Sequence, residues 1–378
     1  DQVSSRGLGD VYKRQILGME NKVKDLRDKI DEIDLKILDL IQSRAIHASK
    51  IGEIKKESPD FDGIFYKPER EKEIIDRLTK RNDGPLRINN VRNIFKEIIS
   101  ACLSIEGELS ISYLGPEGSF SDSAKKDHFG SSVTSQSEST IEGIFKSVEM
   151  GATNFGIVPF ENSSQGVINT TLNCLSDFNI QICGETIVNI EHHLAAKKDI
   201  EISQIKKVVS HPQALGQCSK WISKNFRDVN QAPMNSTAEA AKFVSNNDNC
   251  VAIVSDLAIE KYQLHCVARS IQDFKDNQTR FLVIGNFEPE IAEKNKSSFL
   301  IRTENKPGAL LEILKPFNEY NINLFRIETR PSRSDRGSHD FFIDSEGHID
   351  EKEMQLVIKK VKDVSSFVKV LGSYPMHS

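Results

Sequence analysis

Three stretches of the chain follow three different hydrophobic periods. From about Met19 to Gly107 the pattern is helical: Leu26, Ile30, Ile33, Ile37, Leu40, Ile51 and Ile54 recur in steps of four and three. The same stepping calls for apolar residues at 44 and 47, where Arg44 and His47 stand. The spacing predicts a first helix of more than about 30 residues, roughly 50 Å at 1.5 Å per residue. A helix of that length outruns its own domain and needs a partner chain along its seam. A second helix opens with Pro68 at its first position, which suits proline. A third carries Val91, Ile94, Phe95, Ile98, Cys102 and Ile105.

From Leu109 the period changes. ISYLG (111–115) reads as a strand, then a turn and a helix from about Ser121. Comparable units follow at FGIVPFENSSQG (155–166), VVSHPQALGQC (208–218) and NSTAEAAKFV (235–244). Strands alternating with helices predict an α/β domain with a largely parallel or mixed sheet, ending near Phe287. Glu288–Lys296 reads as a polar linker. Beyond it SSFLIRT, NKPGALLEILKPFNEY, INLFRIETR, HDFFID, DEKEMQLVIKKV and FVKVLGSY spell a βαββαβ unit, the ferredoxin-like plan.

Composition narrows the class. With 38% hydrophobic and 28% charged residues the 378-residue chain reads as an ordinary soluble protein of several domains. No stretch reaches the roughly 20 apolar residues of a membrane span. A formal net charge of −5 argues against nucleic acid as a bulk partner, so local groups must hold any anionic ligand. Six scattered cysteines without a CxxC pair suit reduced thiols in the cytoplasm. Residues 1–18 show neither an apolar signal core nor a clear helical stripe and read as a non-native or disordered extension. The expected domains are therefore 19–107, 109–287 and 297–378.

Charged and polar residues in unusual places mark candidate chemistry. Arg44 in an apolar seam is costly unless an anion meets it. Lys55 lies three turns further on nearly the same face, while Arg27 is about 100° around the helix and suits a different site, most simply a partner chain's. The alternative is that Arg44 and Lys55 reach out to solvent. In the central segment four turns join strand ends to helix starts: 115–120, 161–166, 210–213 and 235–237. Helix N-termini bind carboxylates without Lys or Arg, although Ser236-x-x-Glu239 also reads as a plain capping box. Asn277-Gln278-Thr279-Arg280 stands at the entrance of the apolar run Phe281–Ile284 and reads as a loop end or as part of an anion-binding cleft. Glu191-His192-His193 lacks a spaced third ligand and reads as a strand end, so no metal site is expected.

These motifs carry resemblances. LRDKIDEIDLKILDLIQSRAIHASKIGEIK, YKPEREKEII and FKEIISACLSIE resemble the all-helical, intertwined-dimer chorismate mutases. The resemblance implies that Arg27 from a partner chain, Arg44, Lys55 and Arg70 hold the carboxylates and ether oxygen of chorismate, that Glu71 binds its hydroxyl, and that Glu106 faces the ether oxygen. YLGPEGSFS, GIVPFENSSQGVIN, SHPQALGQC and QTRF, in this order, resemble prephenate dehydratase, a two-lobed α/β enzyme without metal or organic cofactor. It implies that Thr279 meets the departing C4 hydroxyl of prephenate. Ser119, Phe120, Asn162, Ser163, His211, Gln213, Ser236, Thr237, Arg280 and Phe281 would form the substrate site. NKPGALLEIL, ETRP and the closing GSYP resemble the ACT regulatory domain. Gly308, Ala309, Leu310, Glu328, Thr329, Arg330 and Pro331 would then bind L-phenylalanine at a domain dimer interface, Thr329 standing where the family has Ser.

The expected whole is thus α plus α/β plus α+β, at least a homodimer. By resemblance it turns chorismate into prephenate and prephenate into phenylpyruvate under phenylalanine feedback. A dehydratase acting on arogenate and a non-catalytic amino-acid sensor are the alternatives. Several mutases carry Gln where this chain has Glu106 and a small hydroxyl residue where it has Cys102. A glutamate donates to the ether oxygen only when protonated. Mutase turnover should therefore fall as pH rises and Glu106→Gln should flatten that profile; an unchanged profile in the variant removes Glu106 from the mechanism.

Overall fold

The computed structural model describes residues 3–377 apart from 60, 62, 227, 228, 334 and 336, with side chains described from residue 19 onward. The chain divides into two compact bodies, Asp1–Gly63 with Ile105–Gly107, and Ile64–Ser104 with Glu108–Ser378. The first body is dominated by helix α1 (Val3–Glu57). It takes in residues 3–18, which had been expected to lie outside the fold; the side chains of 1–18 lie outside the described residues. Leu26, Ile30, Ile33, Ile37 and Leu40 stand exposed along α1, each on the seam that the periodicity marks.

In the second body, α2 (Pro68–Lys80) does begin with proline, and α3 (Ile88–Glu106) follows, its residues from Ile105 onward being grouped with the first body. There follow β1 (Ser110–Leu114), α4 (Phe120–Phe129), β2 (Thr134–Glu138), α5 (Ile141–Glu149), β3 (Phe155–Asn162), β4 (Gly166–Val167), α6 (Asn169–Asp177) and β5 (Gln181–Asn189). The chain then builds β6 (His193–Ala196), β7 (Lys207–Ser210), α7 (Pro212–Gln217), α8 (Ser219–Asn225), β8 (Asn230–Pro233), α9 (Thr237–Ser245), β9 (Cys250–Val254), α10 (Asp256–Lys261) and β10 (His265–Ala268). It returns as β11 (Gln278–Gly285) and ends in β12 (Asn295–Glu304), α11 (Ala309–Glu319), β13 (Leu324–Pro331), β14 (Ser338–Glu346), α12 (Lys352–Val364) and β15 (Phe367–Pro375).

The central segment is two lobes, each on a mixed sheet. The first has the order β2-β1-β3-β11-β5 with β4 beside β3; the second has β10-β6-β9-β7-β8. Two segments cross between them, joined where Ile190 N–H donates to the Asn277 carbonyl at 2.8 Å. The third sheet, β13-β14-β12-β15, belongs to the βαββαβ unit.

β11 pairs antiparallel with β3 on one edge and with β5 on the other, so its side chains alternate between two covered faces. Phe281 and Val283 pack in a cluster with Ile111, Tyr113 and Phe155. Leu282 and Ile284 pack in another, which also holds Leu300, Phe342, Leu371 and Tyr374 of the third sheet. One apolar core therefore continues from the first lobe into the βαββαβ unit. The two approach so closely that a Cβ on Gly372, whose φ is +152°, would lie 2.2 Å from the Ile182 carbonyl oxygen. Gly372→Ala should accordingly destabilise the second body by about 1–3 kcal/mol, read as a lowered Tm in thermal unfolding; an unchanged Tm would show that this seam has room.

Candidate active site

The four turns converge. A cavity of about 350 Å³ between the two lobes is lined by Gly115, Ser119 and Phe120 from the first turn, Asn162, Gln165 and Gly166 from the second, His211 and Gln213 from the third, and Asn235, Ser236 and Thr237 from the fourth, with Thr279 and Phe281 of β11. That volume suits a small organic ligand. None of the lining residues is Lys or Arg. Instead the cavity faces helix starts: Ser119 caps α4, its Oγ accepting from Asp122 N–H at 3.3 Å, and Ser236 caps α9, accepting from Glu239 N–H at 2.9 Å. Capping and lining are done by the same turns, because a capped N-terminus still presents unused N–H groups.

Hydrogen-bond polarity around Thr279 is set by two backbone groups, the Ser164 N–H and the Gln278 carbonyl, which accepts from Asn162 Nδ2 at 3.3 Å. Ser164 N–H donates to Asn162 Oδ1 at 3.0 Å, and a backbone amide has no other role to play. This orients the Asn162 amide, whose Nδ2 must then donate to Thr279 Oγ1 (2.8 Å) and to Asn277 Oδ1 (3.0 Å). Asn277 Nδ2 in turn donates to Gln217 Oε1 at 3.0 Å, leaving His192 Nε2 to donate to the same oxygen at 2.8 Å. Burial lowers the His192 pKa, partly offset by the Gln217 bond, so the imidazole is neutral. Thr279 is 7% exposed, and with Asn162 donating to its oxygen the hydroxyl keeps its own proton for an acceptor in the cavity.

Two expected substrate residues are not in the cavity. Arg280 follows Thr279 on β11 and so faces the opposite way. Its Nε donates to Glu185 at 2.7 Å, its Nη1 to Asp344 at 2.7 Å and its Nη2 to Tyr374 Oη at 3.0 Å. Ser163 also turns away, accepting from Gln278 N–H at 3.0 Å and donating to Asn277 Oδ1 at 3.2 Å, where it secures the turn. Conversely, Gln217 and His192 line the cavity without having been marked as site residues, and Gln165 of the 161–166 turn lines it too. Gln217 sits one helical turn after Gln213 on α7, a spacing that could have marked it. His192 directs Nε2 to Gln217, and His193 Nε2 lies 3.2 Å from Asp256, so each histidine of the Glu191-His192-His193 run has a protein partner. Among the described residues no group of His, Cys, Asp and Glu is arranged to hold a metal ion.

The cations of the helical segment are distributed between the two bodies. In the first, Arg27 is exposed on α1, Arg44 is half-buried, and Lys55 Nζ donates to Glu106 Oε2 at 3.2 Å. In the second, Arg70 is exposed and ion-paired with Glu73, while Glu71, about 100° around the helix, faces a small cavity shared with Tyr66, Lys96 and His128. Burial pushes the Glu71 carboxyl up to about 7, partly offset by Lys96. In the third sheet, Gly308 adopts φ +85° ahead of α11, and the groove beside Gly308 and Ala309 includes none of residues 328–331. Thr329 and Pro331 are exposed on β13, Leu310 is 37% exposed, and Arg330 Nη2 donates to Asn173 Oδ1 at 2.9 Å. Glu328 lies 3.6 Å from Arg326.

Comparison with known proteins gives the same order of domains. The family models for chorismate mutase type II, prephenate dehydratase and the ACT domain match residues 26–107, 111–289 and 297–363. The bifunctional chorismate mutase/prephenate dehydratase of Stutzerimonas stutzeri is 41% identical over 94% of this chain and 98% of its own. That of Pseudomonas aeruginosa is also 41% identical, over the same shares. Among solved structures, the prephenate dehydratase of Arthrobacter aurescens in complex with L-Phe superposes with a TM-score of 0.66 at 29% identity, covering 71% of this chain and 90% of that one. The chain belongs to the bifunctional chorismate mutase/prephenate dehydratase family.

Proposed function

We propose that the chain rearranges chorismate to prephenate in its helical segment and decarboxylates and dehydrates prephenate to phenylpyruvate in the interlobe cavity, with L-phenylalanine as inhibitor. The observation that carries the second step is the fixed polarity of the Asn162–Thr279 pair. Prephenate loses carbon dioxide from C1 and hydroxide from C4 as the ring becomes aromatic. The electrons of the breaking carboxylate bond enter the ring and those of the C4–O bond leave with oxygen. Hydroxide is a poor leaving group, so a hydrogen-bond donor held at C4–O lowers the barrier. Thr279 supplies that donor and water supplies the proton that completes the leaving water molecule. The carboxylates sit at the N-termini of α4 and α9, whose backbone N–H groups replace the absent cations.

For the first step, a Claisen rearrangement needs no nucleophile. It needs the compact conformer held and the charge on the ether oxygen stabilised. Family resemblance gives these roles to Arg44, Lys55 and Glu106 of the first body and to Arg70 and Glu71 of the second, Glu71 on the hydroxyl, with Arg27 from a second copy. The apolar seam of α1 left exposed in one copy supports a homodimer or higher oligomer. A second copy would likewise complete the L-phenylalanine site from Gly308–Leu310 and the 328–331 stretch. Free cysteines at 102, 174, 183, 218, 250 and 266 suit the reducing cytoplasm, and among the described residues no helix is long and apolar enough to cross a membrane.

Chorismate given to the full chain should yield phenylpyruvate, and L-phenylalanine should suppress its formation. Accumulated prephenate would retain the mutase and remove the dehydratase. Thr279→Val, nearly isosteric, should lower dehydratase turnover by about 10²-fold or more with the thermal unfolding profile unchanged; turnover near that of the wild type would sink the role of Thr279.

A further inference from the structure

Arg280 was expected in the substrate site, and the structure places it behind that site in a cluster of four buried charges. Lys296 Nζ donates to Glu185 at 2.7 and 2.8 Å, so Glu185 is held by two cations. Asp344 accepts from Arg280 on one oxygen and from Ser298 Oγ on the other at 2.6 Å. Side-chain exposure is 13% for Arg280, 11% for Lys296, 6% for Asp344 and 2% for Glu185. Burial pushes both carboxyls up, and Arg280, joined by Lys296 at Glu185, overcomes it and holds them below the usual carboxylate range. Two positive and two negative charges leave the cluster neutral. Its members come from both sides of a domain boundary: Glu185 and Arg280 from the first lobe, Lys296 and Asp344 from the ACT sheet.

Register ties this cluster to the catalytic pair. Across β3 and β11, Thr279 stands opposite Asn162 and Arg280 opposite Glu161, so the pair in the cavity is followed directly by a pair on the back face. The back-face pair is also gripped by the ACT domain. Arg326 of β13 lies 3.5 Å from Glu161, and the Phe160 ring has the Arg326 guanidinium 4.5 Å and the Arg280 guanidinium 5.0 Å from its centroid.

We propose that Arg280 is a positioning residue for the dehydration: by pinning the back of β11 to the ACT sheet through Asp344, it sets where Thr279 presents its hydroxyl, and a shift of that sheet reaches the cavity through it. This rests on the cavity being the dehydratase site. A displacement of the Thr279 hydroxyl by a fraction of an ångström weakens the bond to the leaving oxygen, which is formed in the transition state, far more than it weakens binding of prephenate.

The test is Asp344→Asn in the full chain, which keeps the shape of the side chain and removes its charge. Dehydratase kcat should fall about ten-fold with KM within about two-fold, and the L-phenylalanine concentration for half-inhibition should shift. Asp344→Glu should recover most of the turnover. Arg280→Lys, which keeps the charge and cannot span all three partners, should show the same split between kcat and KM, and serves if Asp344→Asn does not fold. Wild-type kcat and inhibition in both variants, with Tm lowered, would overturn the proposal and leave the cluster purely structural. A wild-type chain that does not consume prephenate overturns the reading of the cavity along with it, an outcome distinct from active wild type matched by active variants.

Discussion

β11 is hydrogen-bonded on both edges, to β3 and to β5, so each of its side chains is committed to one of two faces. This constraint organises the second body. One face carries Thr279 and Phe281 to the cavity, and the other carries Arg280, Leu282 and Ile284 to the ACT sheet. A one-residue slip would exchange every one of these roles at once. The buried ion pairs of Arg280 work against such a slip: taken out of register, the guanidinium would leave Asp344 a buried charge without its ion pair and Glu185 with Lys296 alone, which costs far more than the pairing itself contributes.

The cavity is lined by helix starts and uncharged polar side chains, with no Lys or Arg among its lining residues. Three strand-to-helix turns and the hairpin turn between β3 and β4 end around one space, and each helix start offers N–H groups at no cost in buried charge. Three cations of the second body's interior stand elsewhere: Arg280, Lys296 and Arg326 all face the boundary between the first lobe and the ACT domain. Binding chemistry and domain attachment are thereby kept on opposite sides of the same two strands.

Much of this was legible in the chain. The change of period at Leu109, Pro68 at a helix start and the βαββαβ order all reappear, because each rests on local patterning. The four turns were legible as a group because each joins a strand end to small polar residues, and the structure brings all four around one cavity. What was not legible was direction. Asn277–Arg280 reads as a loop end ahead of the apolar run, whereas β11 begins at Gln278, so strand alternation already governs Thr279 and Arg280 and separates them. Ser163 misled for a related reason: a turn residue lies in the site only if it is not needed to close the turn, and Ser163 is. The roles of Gln217 and His192 depend on contacts across about 25 and 60 residues of sequence, and no local pattern encodes these.

The donor that sets the polarity of the whole amide chain, from Asn162 through Asn277 and Gln217 to His192, is a main-chain N–H at Ser164. Side chains are replaced by mutation; a peptide N–H is removed only by proline. The orientation of the Thr279 hydroxyl is therefore preserved with nineteen of the twenty residue types at position 164 as far as that donor goes, and drift in the turn sequence is free to alter what the loop touches without reversing which way the threonine proton points.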